Sequence, residues 1–496
     1  MPLSGKGYTA TEDVLELAAE YWPILIITLH VVIGLGVSSD IVLRKRDTRA
    51  ALGWIGVVWL TPLLGALLYF VFGVNRIHRK AQARRSHLPE LEMQLTGGVL
   101  SAETVLEKCG ASRQHLIALA KLVGEVTGRP LCSGNIIQPL VAGDIAYPAM
   151  IEAIDSASRS VAFATYIFNH DRAGGLFVDA LSRAVERGVE VRVLIDAVGA
   201  RYSWPPITRM MQNRQIRVAR FMRTVMPWRF QYSNLRNHRK LLVVDGRIGF
   251  TGGMNINAGY LLAEPNSRPV NDIHFRIEGP VVSHLQQTFI VDWFFAAGET
   301  LEGDFWLPNI LPLGPVLARG ITDGPDIDFD KLRLVLLAAI NSSHESLLIV
   351  TPYFLPDEAL ITALNLAAMR GVAVNITLPR VNNLRLMKWA STALLPQVLE
   401  HGCRVWMSEP PFDHSKFMVV DGIWSLIGSA NWDPRSLRLN FEFNVEAYDA
   451  DLAAALTAIA ESKLINATAV TIDSLRNRPI VYRLRDGFAR LASPYL

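Results

Sequence analysis

Two long apolar stretches open the chain, and shorter alternating runs follow them. Trp22 to Leu43 is 22 residues interrupted only by His30 and Asp40, and Ala50 to Val74 is 25 residues without a charged side chain. A helix crossing the hydrocarbon core needs about 20 such residues. The pattern therefore predicts a transmembrane helical hairpin within residues 1–80, with spans at about 22–43 and 50–74. Buried globular helices of this length usually carry a polar stripe, which fits these stretches poorly. A cleavable signal peptide also fits poorly, because Glu12, Asp13, Glu16 and Glu20 stand where a basic leader is expected.

From about residue 130 the period changes. Ser160 to Tyr166 reads as a buried strand, Leu176 to Arg187 as a helix stopped at Gly188, and Val189 to Ile195 as a second strand. Strand, helix and strand with a glycine stop is the pattern of a parallel unit. The order then returns. Ala153-Ile154, Ser156 and Ser160 recur as Ala339-Ile340, Ser342 and Ser346. Strand Leu347–Thr351 leads through Pro352-Tyr353-Phe354 to helix Asp357–Arg370, which Gly371 stops before strand Val372–Leu378. The offset stays near 185 residues. The expectation is an α/β body of two homologous halves, 131–306 and 326–496. A Pro/Gly-rich linker, 307–325, joins them, and an amphipathic helical connector, 81–130, precedes them.

Composition narrows the class but names no partner. Half the residues are hydrophobic, 19% are charged and the net charge is +3, which excludes a disordered chain. Cys109, Cys132 and Cys403 are too few for a disulfide framework and lack zinc-site spacing. Three free thiols favour a reducing compartment for the body. The basic flanks of the apolar stretches hold four residues in Arg44–Arg49, against Arg76, Arg79, Lys80, Arg84, Arg85 and Lys6 beyond them. A hairpin puts the N-terminus and body on one side, read here as the cytoplasmic side.

Candidate chemistry lies in one repeated constellation. His238-x-Lys240-x4-Asp245 in the first half returns as His414-x-Lys416-x4-Asp421, 176 residues on. Gly252-Gly253-x-Asn255 follows the first copy and Gly428-Ser429-x-Asn431 the second. Each copy runs through an apolar strand into Asp-Gly and then into another apolar run, so each predicts a β-hairpin. Residues i and i+2 of a strand share a face, so His238 projects with Lys240 and His414 with Lys416. An ammonium suits a phosphate oxygen, and an imidazole suits nucleophilic and proton-transfer roles near neutral pH. Asn255 and Asn431 supply amide donors for the same oxygens. Asp245 and Asp421, completing the motif at the turns, are expected to support the hairpins.

These paired motifs resemble the phospholipase D superfamily, over nearly all of residues 130–490. The resemblance implies two phospholipase D-like halves building one active site without metal or cofactor. It implies one histidine as nucleophile and the other as acid and base, with His238 assigned to the first role and His414 to the second. Lys240, Lys416, Asn255 and Asn431 would hold the phosphoryl oxygens. A later carboxylate in each half would orient a catalytic histidine. Asp272 and Glu442 fit that place. The segment Trp59-Leu60-Thr61-Pro62, Gly65, Leu68-Tyr69-Phe70, Gly73 and Asn75-Arg76 further resembles the membrane part of the bacterial cardiolipin synthase family.

Three features bear on the reaction. One is the hairpin. Another is residues 201–240, with ten Arg or Lys, no Asp or Glu, and Trp204, Phe221, Trp228 and Phe230 interleaved, which suits anionic headgroups. The third is the lack of a P-loop or a dinucleotide fingerprint, so the substrate's own phosphodiester must supply the energy. The expected function is a bacterial inner-membrane phosphatidyltransferase that converts two phosphatidylglycerol molecules to cardiolipin and glycerol through a phosphatidyl-histidine. Its partners would be phosphatidylglycerol and other anionic lipids, not nucleic acid. The competing readings are a lipid hydrolase releasing phosphatidic acid, a CDP-lipid-dependent phosphatidylserine synthase, a membrane-tethered nuclease and a non-enzymatic scaffold. Tyr166, Tyr353, His170 and Asp171 sit at strand ends, where they either line the site or belong to core and loop. The basic, amphipathic stretch Arg476–Arg490 is a further candidate for the membrane interface.

Overall fold

The computed structural model describes residues 10–45, 48–73, 105, 110, 113–222, 235–265, 268–326 and 328–493. They fall into two compact units, an N-terminal helical one and a large α/β body.

The helical unit begins with α1 (Ala10–Arg44), whose stretch Ala19–Arg44 is long and apolar enough to cross a membrane. It leaves Ile24, Leu25, Ile27 and Val32 exposed, side chains that hydrocarbon accommodates and water does not. The next helix, α2 (Thr48–Leu60), runs back along α1. His30 Nε2 lies 2.9 Å from the Trp59 carbonyl oxygen, and Trp59 Nε1 donates to Ser38 Oγ at 3.1 Å.

The second apolar stretch is not the single span expected over 50–74. It breaks at Thr61, and Pro62 opens a separate helix, α3 (Pro62–Leu68), that runs into a π-turn at Tyr69–Gly73. Proline has no N–H and cannot continue the helical bond pattern. The chain doubles back here. A Cβ on Gly65 would stand 2.6 Å from the Val57 carbonyl oxygen, so only glycine lets α3 lie against α2. The Trp54 and Tyr69 rings are 5.7 Å apart. In a continuous helix they would be separated by about 22 Å along the axis. Tyr69 Oη donates to Asp40 Oδ2 at 2.9 Å, near the end of α1 where α2 set out. Thr28, Ser39 and Thr61 turn their hydroxyls onto carbonyls four residues back, so these polar groups are satisfied within the helices.

The body is built on one sheet of 16 strands and a separate sheet of two. The first half supplies β1 (Cys132–Val141), β2 (Ser160–Thr165), β3 (Glu190–Asp196), β4 (Arg217–Phe221), β5 (Arg236–Asn237), β6 (Leu241–Val244), β7 (Ile248–Gly252), β8 (Val270–Asn271) and β9 (Ile273–Glu278). The second supplies β10 (Val316–Asp323), β11 (Ser346–Val350), β12 (Ala373–Pro379), β13 (Arg404–Ser408), β14 (Phe412–Asp413), β15 (Phe417–Val420), β16 (Trp424–Gly428), β17 (Asn440–Tyr448) and β18 (Thr468–Val470). Read outward from the centre, one half runs β1-β9-β7-β6-β2-β3-β4 and the other β10-β17-β16-β15-β11-β12-β13, with β18 added at the edge. The two sequences match strand for strand. They join where β1 pairs antiparallel with β10, which is the arrangement of a pseudo-two-fold repeat.

The expected linker at 307–325 is therefore too long. Residues Val316–Asp323 are β10, a fully buried central strand of the second half. Flanking Gly314-Pro315 and Gly324-Pro325 gave it the look of a linker, and its Arg319 and Asp323 hid the strand. Arg319 is buried because Glu446 accepts from its guanidinium at 2.6 Å. Of the expected connector, the described part is mainly α4 (His115–Thr127), ended by Gly128 at φ 65°.

Phe221 of the basic stretch is core, packed edge-on against Phe441, whereas Trp204 is exposed and Trp228 and Phe230 lie outside the described residues. The C-terminal stretch forms α5 (Ile480–Leu491), with Ile480, Leu484 and Phe488 exposed and Asp486 and Ala489 buried.

Candidate active site

Each histidine is held by backbone from the opposite half. Strand β5 pairs with the start of β17 (Phe441↔Asn237), and the next residue, His238, donates its N–H to the Phe441 carbonyl at 2.9 Å. Strand β14 pairs with β8 (Asp413↔Asn271), and His414 donates its N–H to the Asn271 carbonyl at 2.7 Å. The residue after each acceptor is the orienting carboxylate. Glu442 lies 2.9 Å from His238 Nδ1, and Asp272 lies 2.8 Å from His414 Nδ1. The partnership is thus crossed: each half supplies one imidazole and the carboxylate for the other's imidazole. With Nδ1 so engaged, Nε2 is the nitrogen left for chemistry in both rings.

The lysines complete the pair. Lys240 Nζ donates to the His238 carbonyl at 2.8 Å, and Lys416 Nζ lies 2.9 Å from His414 Nδ1 and also bonds the His414 carbonyl. Both ammonium groups are buried. Burial, and the second lysine nearby, push Lys240 down to about 7. Burial likewise lowers Lys416 to about 8, against the pull of Asp272 and Glu442. Burial lowers both histidines as well, and the two ammonium groups lower each of them further, which favours the neutral form of both rings.

The two carboxylates differ. Burial alone would raise Glu442, but His238, Lys240 and the Ser429 hydroxyl outweigh it and hold the group below its ordinary range. Ser429 Oγ donates to Oε2, and Asn440 Nδ2 donates to Oε1 at 3.0 Å. Asp272 has no such hydroxyl, and burial raises it to about 6. Gly253 occupies the place of Ser429, and a Cβ there would stand 2.3 Å from Asp272 Oδ1.

Asn255 and Asn431 follow the two hairpins and are buried. Asn255 Oδ1 accepts from the Ile167 N–H at 3.1 Å, and its amide nitrogen donates to Tyr260 Oη at 3.4 Å. The Asn431 amide nitrogen donates to Ser436 Oγ at 3.2 Å. Each amide nitrogen has two hydrogens, so one remains for a ligand.

Asp245 and Asp421 do not join this group. Each sits at the hairpin turn with positive φ, 52° and 50°. Asp245 accepts from the N–H groups of Ser158, Arg159 and Ser160, and Asp421 from those of His344, Glu345 and Ser346. Those donors mark the far ends of β2 and β11. The length of a four-residue strand, about 13 Å, separates each aspartate from its lysine. They pin the hairpins, as their turn positions suggest, and, although the motif groups them with the histidines and lysines, they stand outside the catalytic cluster.

The strand-end residues divide. Tyr166 packs edge-on to His238 with ring centroids 5.2 Å apart, and Tyr353 packs on His414 at 6.1 Å. Asp171 instead caps the following helix by accepting from Gly174 N–H at 3.0 Å, and His170 Nδ1 lies 3.0 Å from the Pro205 carbonyl. Sequence reasoning missed Ser429 and Asn440 as partners of Glu442. The one available signal was the asymmetry between Gly253 and Ser429 at matched positions.

Comparison with known proteins meets this geometry at both levels. The family model described as cardiolipin synthase, PLD-like domain matches residues 150–293 and 336–464, one segment per half. The model described as phospholipase D-nuclease N-terminal matches residues 26–73. The chain belongs to the phospholipase D-like cardiolipin synthase family. Within that family, cardiolipin synthase A of Pseudomonas fluorescens is 33% identical over 478 residues, covering 95% of this chain and 98% of its own length. A cardiolipin synthase of Geobacillus is 31% identical over 458 residues, covering 92% and 90%. The phosphatidylserine synthase of Haemophilus influenzae, at 16% identity, shares the fold with a TM-score of 0.60 over 76% of this chain. The match over residues 26–73 covers most of the apolar stretch of α1 that is long enough to cross a membrane.

Proposed function

We propose that this site transfers a phosphatidyl group between two phosphatidylglycerol molecules, giving cardiolipin and glycerol. The carrying observation is the crossed pair of imidazoles, each aimed by the other half's carboxylate and flanked by a buried lysine. Lys240, Lys416, Asn255 and Asn431 would hold the non-bridging oxygens. The lysine charges and the amide N–H donors meet the negative charge that develops at phosphorus. His238 Nε2 attacks phosphorus, the bond to the glycerol oxygen breaks, and His414 donates a proton to that oxygen. The bound diester anion offsets the two ammonium groups, which lets His414 carry that proton. A second phosphatidylglycerol then gives its headgroup proton to His414 as its oxygen attacks phosphorus, and the P–N bond breaks. The nucleophilic ring carries positive charge throughout the intermediate. Glu442, held ionised by His238, Lys240 and Ser429, suits that ring; Asp272, near 6, suits the one that cycles a proton.

For the membrane, we infer that α1 crosses once and that α2 and α3 form a re-entrant pair. The 13 residues of α2 extend about 20 Å, short of the roughly 30 Å hydrocarbon core, and α3 returns to the level of Asp40. The chain then leaves on the side of Arg44–Arg49. In sequence, nine basic residues of 44–49 and 76–85 flank that end, whereas Lys6 stands near Glu12, Asp13, Glu16 and Glu20 at the other. The positive-inside rule places the body in the cytoplasm and the N-terminus outside.

The reaction is tested with purified full-length protein in phosphatidylglycerol vesicles containing EDTA, following products by mass spectrometry. Cardiolipin and glycerol should form in equal amounts, and both should vanish in His238→Ala and in His414→Ala. Phosphatidic acid in place of cardiolipin would make the protein a hydrolase.

A further inference from the structure

Two loops beside the histidine-packing tyrosines carry large apolar side chains that the reaction does not use. Strands β3 and β12 occupy matched places in the two halves, each parallel to the strand that leads to the histidine-packing tyrosine. The segments leaving them, residues 197–206 and 380–386, lie beside those tyrosines. The Tyr202 ring is 6.2 Å from that of Tyr166, and Asn383 Oδ1 accepts from Tyr353 Oη at 2.7 Å. Asn382 Nδ2 also donates to the Pro352 carbonyl at 3.0 Å. Both segments are therefore tied to the histidine end of the sheet.

Their outward residues are unlike those of a water-facing loop. Trp204 is 88% exposed and Tyr202 61%, while Val381, Leu384 and Leu386 are 42–49% exposed. Arg201 and Arg385 stand on the same segments, Lys388 follows the second by two residues, and all three are exposed. Apolar tips with cations beside them match a bilayer interface, where the rings and aliphatic groups enter the acyl boundary and the cations meet lipid phosphates.

We infer that these two loops form a rim, one arc from each half, that penetrates an anionic bilayer and lays the mouth of the site on the lipid surface. A diacyl lipid would then present its headgroup to the histidines with its chains still in the membrane. This inference rests on the lipid reading of the site and adds where the body meets its substrate.

The test uses full-length protein carrying Cys109→Ser, with a nitroxide on Trp204→Cys or on Leu384→Cys. Arg159→Cys, exposed at the opposite end of β2, serves as control. Cys132 and Cys403 are buried and should not take the label. In vesicles containing phosphatidylglycerol, both rim labels should collide with oxygen several-fold more than with a water-soluble nickel chelate, and the control should show the reverse. Rim labels as water-accessible as the control would overturn the inference. So would spin–spin broadening that persists without lipid, because a second copy of the chain would then cover the rim. Cardiolipin formation with a water-exposed rim defeats the rim alone, whereas an immersed rim without turnover defeats the reaction.

Discussion

Glu442 and Asp272 stand at corresponding places, yet the chain surrounds them differently, and that difference supports the distinct roles proposed for the two imidazoles. Glu442→Gln would place an amide beside His238 Nδ1. An amide turned to donate there fixes the proton on Nε2 and removes the lone pair that attacks phosphorus. The expected cost is about 10²–10⁴-fold in kcat, with little change in the vesicle concentration giving half-maximal rate, as initial rates would show. The titrating groups also predict a pH profile. Asp272 must be ionised to orient His414, so kcat/KM should rise as pH passes about 6. Lys240 must be protonated to hold the diester, so kcat/KM should fall as pH passes about 7, with Lys416 following near 8. A bound anion favours the charged lysines, so the alkaline limb of kcat should lie above that of kcat/KM. A flat kcat/KM from pH 6 to 9 would contradict these assignments.

At the scale of elements, periodicity and turn chemistry carried most of the information. Strands β2, β3, β11 and β12 and both hairpins lie within a residue or two of the expected bounds, because buried apolar runs ended by Gly or Asp-Gly have few alternatives. The same logic hid β10, whose buried Arg319 makes sense only once Glu446 is seen across the ladder. It also hid the fold-back at Thr61, which depends on Gly65 meeting the Val57 backbone, a contact that hydropathy does not encode. The fold-back changes topology and so can be measured. With Ser4→Cys and Ala454→Cys as separate probes, a membrane-impermeant maleimide should label the first from outside the inner membrane and the second only after lysis. Labelling of both from the same side would restore a two-span hairpin.

At the scale of the molecule, the repeat makes sense of the site. Motif spacing located the imidazoles, lysines and asparagines, and the resemblance pointed to Asp272 and Glu442. The crossing of partners was not legible, because it arises from β5 pairing with β17 and β14 with β8 across the two halves. Neither half holds a complete His–carboxylate pair, so the active unit is the whole body. That arrangement predicts one covalent intermediate, on His238, with His414 as the proton carrier. The most direct measurement uses His414→Ala with a phosphatidyl p-nitrophenyl diester, whose leaving group needs no protonation. After alkaline quenching and digestion, mass spectrometry should find one phosphatidyl group per chain on the peptide containing His238, matched by a burst of one p-nitrophenolate. An adduct absent there, and present on His414 in His238→Ala, would reverse the two roles.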